Sequence, residues 1–110
     1  MTPVFYYETD TDGKPVARPI AGAHAGLAAF LTEEASWDDY IALLLDLTDE
    51  AARTGTPQVN TGNAYAVTID GALVSIEHLH RAGQPPQTLA LAVFAAALRE
   101  WRAFLNKPRA

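Results

Sequence analysis

Two of the three histidines in the chain, His78 and His80, are separated by a single residue. On a strand this spacing puts both rings on one face, where a zinc ion could take two nitrogens. The neighbouring sequence offers no regular third ligand, and His24 and Glu77 are the remaining possibilities. We therefore predict no metal and no cofactor. We expect His78 to continue the buried face of a strand and His80 to lie in the loop that follows.

The residue types needed for other chemistry lack the spacing that catalysis requires. Ser36 stands where a helix should begin and is explained as its N-cap, while Ser75 has no Gly-x-Ser-x-Gly sequence around it. Asp10 and Asp12 do not follow the ligand spacing of a calcium-binding loop. We therefore predict no catalytic residue. A small hydrolase that uses one histidine of the pair is the enzymatic alternative.

The feature that departs most from an ordinary surface is a run of acidic residues. Seven acids occur from Glu33 onwards before the first base, Arg53, is reached. Apolar residues recur about every 3.6 positions over residues 37–53, which predicts a helix with Trp37 and Tyr40 facing the core. Five of the acids fall on the opposite arc of this helix: Asp38, Asp39, Asp46, Asp49 and Glu50.

These five acids are the predicted partner-binding residues. Ordinary surfaces intersperse both signs of charge, whereas no local base is expected to relieve the repulsion within this run. Such a face attracts a basic protein, mainly by raising the rate of association. The alternative is a solvated helix surface that has no partner.

The overall charge separates the two halves of the chain. The net charge is −5, with ten acids and two bases in residues 1–52 but three acids and six bases in residues 53–110. An acidic surface repels phosphate backbones, so direct binding to nucleic acid is not expected. No apolar run approaches the ~20 residues of a membrane-spanning helix, and the first residues do not resemble a secretion signal. Together with the lack of cysteine, this predicts a cytoplasmic protein with no membrane partner.

The pattern of elements predicts an α+β fold of one domain, residues 1–110, in the order β(β)–α–α–β–β–α. Residues 4–8 are aromatic and β-branched and favour a strand, and residues 14–18 return as an edge strand. The spacing of apolar residues predicts three helices, at 23–35, 37–53 and about 88–106, the last after a loop at 81–87. The core stripe of the last helix is Leu91, Phe94, Leu98, Trp101 and Leu105.

The clearest local signal is a β-hairpin over residues 64–78. Asp70-Gly71 is a favoured two-residue turn, and the alternation of apolar residues on both sides agrees with it. This turn predicts a buried face built from both strands. The predicted cross-strand pairs are Ile69 with Ala72, Val67 with Val74, and Tyr65 with Ile76.

Several stretches between residues 30 and 106 carry a resemblance to a known family. They are Phe30-Leu31-x-Glu33-Glu34, a leucine-rich helix ending near Gly55, the motif G-N-x-Y-x-V-x-I-D-G-x-L-V-x-I over residues 62–76, and an aromatic C-terminal helix. In these features the chain resembles the YacL-like proteins, a group that includes immunity proteins of contact-dependent growth inhibition systems.

The resemblance implies a function without catalysis. Such immunity proteins bind and neutralise a cognate toxin domain, often a nuclease, in the cytoplasm of the producing cell. Many toxin nucleases are basic because they bind RNA or DNA. The resemblance therefore implies a basic toxin C-terminal domain as the partner of the acidic face. The alternative within the same family is a housekeeping YacL-like protein with an unknown partner.

Overall fold

The part of the chain that the structure describes forms six strands and three helices. The computed structural model describes residues 5–19, 25–81, 83 and 85–106. Its elements are β1 (Phe5–Thr9), β2 (Pro15–Pro19), α1 (Ala25–Glu33), α2 (Asp38–Thr54), β3 (Gln58–Thr61), β4 (Tyr65–Asp70), β5 (Leu73–His78), β6 (Gln87–Ala90) and α3 (Leu91–Leu105).

The strands form two antiparallel sheets, which confirms the predicted α+β class. β1 and β2 form one sheet, and β3, β4, β5 and β6 form the other in chain order. The three predicted helices and the central hairpin are present, but two strands of the larger sheet, β3 and β6, were not predicted. The first two residues of the first predicted helix, 23 and 24, fall outside the described residues, and the last predicted helix ends at Leu105, one residue before its predicted end.

The hairpin between β4 and β5 has the predicted faces but a different register. Asp70 pairs with Leu73, so the two-residue turn is Gly71-Ala72 rather than Asp70-Gly71. Gly71 takes a φ of 63°, which a residue without a Cβ adopts readily. Moving the turn by one residue moves each cross-strand partner by two, so no side chain changes face. Five of the residues predicted to face inward are buried, namely Tyr65, Val67, Ile69, Val74 and Ile76, whereas the sixth, Ala72, lies in the turn and is exposed.

β6 replaces the predicted first turn of the last helix. Residues 87–90 pair with β5, and α3 begins at Leu91 with no intervening loop. The Leu91 amide donates to the Ala72 carbonyl at 2.8 Å, so the chain leaves the sheet and enters the helix at one fixed point. The helical periodicity of α3 runs on into 88–90 by chance, and pairing with β5 decides the structure there.

One core joins the three helices to the buried face of the larger sheet. Phe30 contacts Tyr65 edge to face, with ring centroids 5.4 Å apart, and lies 6.4 Å from Phe94. Trp101 is fully buried, and its Nε1–H donates to the Ala35 carbonyl at 2.7 Å. The predicted stripe of α3 is therefore correct, with Leu91 and Leu105 half-buried at its two ends.

The smaller sheet attaches to this core through both of its strands: Ala17 of β2 is buried and its amide donates to Thr32 of α1, and Tyr7 of β1 packs on α3. The Tyr7 ring lies 5.8 Å from that of Trp101 and 5.7 Å from that of Phe104, and its hydroxyl donates to Glu100 Oε1 at 2.8 Å. Burial, followed by the hydrogen bond to Glu100, raises the pKa of Tyr7 above its ordinary value. In the turn between β1 and β2, the Asp10 carboxylate accepts two backbone amides at 2.9 Å, so it shapes the turn.

Candidate partner-binding site

The first two acids of the run are used inside the fold. Glu33 accepts a hydrogen bond from the Tyr65 hydroxyl at 2.9 Å and pairs with Arg81 at 3.4 Å. Burial first, and then this bond to Glu33, raises the pKa of Tyr65 to about 12. Glu33 therefore joins the end of α1 to β4 and to the segment after β5.

Glu34 holds the segment that leads into β4. Its carboxylate accepts the backbone amides of Asn63 at 2.7 Å and Ala64 at 3.1 Å. A Cβ on Gly62 would lie 2.5 Å from Glu34 Oε1, so any other residue there would displace this carboxylate from its present position. Two of the stretches that carry the family resemblance, Glu33-Glu34 and the one that begins at Gly62, thus meet in space as one structural unit.

Asp38 joins the start of α2 to the end of α3. Arg102 donates to it through Nε at 2.7 Å and Nη2 at 2.9 Å, and Asn106 Nδ2 donates at 3.0 Å. The hydrogen bonds from Arg102 and then Asn106 hold the pKa of Asp38 below its usual range. Asp38 is one of the five predicted partner-binding residues, and its carboxylate is already occupied.

The remaining acids of α2 are mostly open. Glu50 pairs with Arg53 one turn later, so the expectation that no local base relieves the acidic run was wrong at Glu50, while Asp38 is relieved by a base distant in the chain, Arg102. Asp39, Asp46 and Asp49 are exposed, and within the described part of the chain they make no hydrogen bond or ion pair. Three of the five predicted residues are therefore available for a partner.

Trp37 faces solvent, although the periodicity predicted it in the core. It is the N-cap residue of α2, with φ −111° and ψ 129°, and so its side chain does not follow the helical repeat. Ser36 is therefore one residue outside the cap, and no side chain makes a capping hydrogen bond. The Trp37 side chain is 73% exposed, and no ring contact or hydrogen bond joins its indole to the residues that the structure describes.

A cleft of about 350 Å³ opens beside Trp37. The residues that line it are Glu34, Trp37, Asp39, Tyr40, Gly62 and Asn63. The Tyr40 hydroxyl donates to Asn60 Oδ1 at 2.9 Å, and burial followed by the charge of Glu34 raises the pKa of Tyr40. A second hollow of about 290 Å³ is lined by Ser36, Trp37, Asp38 and Asp39. Trp37 and Asp39 therefore border both depressions.

Neither histidine of the pair lines this cleft, although His80 contacts Asn63, which does. His78 is half-buried with its ring 4.8 Å from that of Tyr65, and its Nδ1 accepts the His80 amide at 3.1 Å. His80 Nε2 lies 3.1 Å from the Asn63 carbonyl oxygen. No group of three metal-ligating side chains converges anywhere in the described ranges, and His24 falls outside them.

No family model matches the chain, and neither the curated proteins nor the solved structures return a match. Among the helices of the described residues, none is both long and apolar enough to cross a membrane. Trp37 is the most exposed of the large hydrophobic residues that the structure describes, and it stands beside the open acids of α2.

Proposed function

We propose that this domain is a protein-binding module that recognises a basic partner through the open face of α2. The observation that carries the proposal is the position of Trp37, 73% exposed, at the start of the helix that presents Asp39, Asp46 and Asp49. A large apolar side chain held in water favours burial against a partner, and tryptophan is enriched among residues that dominate binding energy. The acids beside it select a partner of positive charge.

The partner that this surface fits best is a toxin domain, with the domain acting as its immunity protein in the cytoplasm. The support is the acidic face, together with the resemblance to immunity proteins of contact-dependent growth inhibition systems. A nuclease that binds RNA or DNA carries a basic substrate path, which an acidic helix can cover. The domain itself then needs no catalytic residue, because occlusion of the partner's active site or of a neighbouring surface is sufficient for neutralisation.

The direct test uses the polypeptide encoded immediately before this gene as the partner. The double variant Asp46→Lys/Asp49→Lys should slow its association at low salt, and the difference should shrink at high salt because screening weakens long-range attraction. The same variant should protect toxin-expressing cells less well. Both side chains are exposed, so the melting temperature should change little.

The matched control is Asp70→Lys/Glu77→Lys, which makes the same change in net charge on the larger sheet. Both of these acids are exposed and lie outside α2. Equal slowing by the two double variants would show an effect of net charge alone and would contradict a binding role for α2. Tight binding of the neighbouring polypeptide without protection of cells would contradict the immunity role but leave the binding role intact.

A further inference from the structure

The geometry points to the cleft beside Trp37 as a binding pocket for an arginine side chain of the partner protein, an inference that rests on the proposed function. The cleft has a volume of about 350 Å³, which lies at the lower end of the about 300–1,000 Å³ range of small-ligand pockets. It is large enough to admit one long side chain and is bordered by both an aromatic ring and carboxylates.

The side chains that line the cleft include two that are held by hydrogen bonds and two that are open. Tyr40 is held by Asn60, and Glu34 is held by the amides of Asn63 and Ala64, so neither side chain is free to move away from the cleft. The Trp37 indole and the Asp39 carboxylate have no such partner among the residues described. These two groups are therefore the ones that an incoming side chain would contact first.

The chemistry of these groups selects a cation. An indole face attracts a positive charge through its quadrupole, and a free carboxylate accepts charge-assisted hydrogen bonds. An apolar side chain would strip water from Asp39 and Glu34 without replacing those hydrogen bonds, which is unfavourable. An anion would be repelled by both carboxylates. The pocket therefore favours a cationic side chain.

Arginine suits the pocket better than lysine. Its planar guanidinium can stack on the Trp37 ring while its fork of donors meets the Asp39 carboxylate, whereas a lysine ammonium is a compact point charge. A bidentate pair of arginine with a carboxylate already exists in the same turn of α2, where Arg102 donates to Asp38 through two nitrogens at 2.7 and 2.9 Å. The charges of Asp39 and Asp46 also contribute to the raised pKa of Arg102, so the negative field extends beyond Asp38.

The test uses the free protein and three small probes, N-acetyl methylamides of arginine, lysine and citrulline. Citrulline has nearly the shape of arginine but no charge. The indole N–H signals of the two tryptophans report binding by nuclear magnetic resonance, and Trp37→Phe identifies which signal belongs to Trp37. Trp101 is an internal control because it is fully buried and bonded to Ala35.

The arginine probe should shift the Trp37 signal saturably, with weak affinity as expected of a single side chain, and leave that of Trp101 in place. The lysine probe should bind several-fold more weakly, and the citrulline probe should give no saturable shift. Asp39→Asn should weaken the arginine probe by roughly tenfold, as for loss of a charge-assisted contact. Asp70→Asn, an exposed acid with the same charge change, should leave it unaltered.

Absence of a saturable shift, equal binding of citrulline, equal binding of lysine, or equal weakening by Asp39→Asn and Asp70→Asn would each overturn the arginine pocket. These outcomes are independent of the partner experiment. If the probe binds but reversal of Asp46 and Asp49 leaves association unchanged, the pocket stands and the proposed function fails. If that reversal slows association but the probe does not bind, the proposed function stands and the pocket fails.

Discussion

Residues 33–39 present two contrasting sides. On one side Glu33, Glu34, Asp38 and the Ala35 carbonyl accept hydrogen bonds that tie this segment to β4 and α3. On the other side Trp37 and Asp39 stand open. A count of acids treats all of these carboxylates alike, whereas their hydrogen-bond partners separate those that hold the fold from those that are available for binding.

The contrast is largest between the two tryptophans. Trp101→Ala removes a fully buried ring and should lower the free energy of unfolding by about 3–5 kcal/mol. Trp37→Ala removes a ring that is 73% exposed and should change it by no more than about 0.5 kcal/mol. Urea unfolding of both variants beside the parent measures the difference.

Trp101→Phe separates packing from hydrogen bonding at the same position. It keeps an aromatic ring but cannot donate to Ala35, which leaves a buried carbonyl unsatisfied at a cost of about 1–3 kcal/mol. If Trp37→Ala proved as destabilising as Trp101→Ala, Trp37 would belong to the core and the division of the segment would be wrong.

Variants at the contact between Glu34 and Gly62 should lower the free energy of unfolding by less than Trp101→Ala does. Glu34→Ala leaves the amides of Asn63 and Ala64 without their acceptor and should cost about 1–3 kcal/mol. Gly62→Ala should cost a similar amount, about 1–3 kcal/mol, because the new Cβ would lie 2.5 Å from Glu34 Oε1. Urea unfolding of the two single variants and of the double variant forms a complete cycle.

The double variant decides the cause. Once the Glu34 side chain is shortened, the added methyl of Gly62→Ala has room. The double variant should therefore lose less stability than the sum of the losses in the two single variants. Strict additivity would mean that Gly62 is required for another reason. Glu34→Gln is a further control, since it retains an acceptor oxygen and should lose less stability than Glu34→Ala.

The smallest expected effect is the change of stability with pH that is due to Asp38. Because its pKa is lowered in the folded state, Asp38 contributes stability above the unfolded aspartate pKa of about 3.9, and this contribution is lost as the pH falls through the lower folded pKa. Asp38→Asn should therefore be less stable than the parent near neutral pH, and the difference should shrink in acid. Thermal melts between pH 7 and pH 3 would follow it.

Arg102→Gln supplies the control for this pH effect, because Arg102 is the main cause of the lowered pKa of Asp38. In the Arg102→Gln background, Asp38→Asn should alter the pH dependence much less than it does in the parent. A stability difference between parent and Asp38→Asn that is constant from neutral to acid pH would show that the ion pair does not act in this way.

Much of the fold follows from side-chain alternation and helical spacing. Val67, Ile69, Val74 and Ile76 alternate along β4 and β5 and so define the buried face of this hairpin. A slip of one residue would move them to the solvent face. β3 was missed because Gln58–Thr61 is short and largely polar, so its strand conformation depends on pairing with β4. β6 was missed because a helical pattern follows it directly.

The candidate site was predictable only in part, because hydrogen-bond partners distant in the chain are invisible in a local pattern. Asp38 meets Arg102, 64 residues away, and Glu34 meets Asn63, 29 residues away. Trp37 was misplaced because a cap residue has extended backbone and departs from the helical repeat that assigned it to the core. Its position directly before the two acids that open α2 was the available signal.

The attachment of the β1–β2 hairpin has a consequence for local opening. A two-stranded sheet is marginal alone in water, and this one depends on Tyr7 against Trp101 and on the bond between the Ala17 amide and Thr32 Oγ1 at 3.0 Å. Its amide hydrogens should therefore exchange with deuterium when the hairpin detaches locally. The amide hydrogens of β4 and β5 should exchange more slowly, because they require global unfolding. Each such detachment would briefly uncover one face of Trp101, so the hairpin protects the centre of the domain against water and proteases.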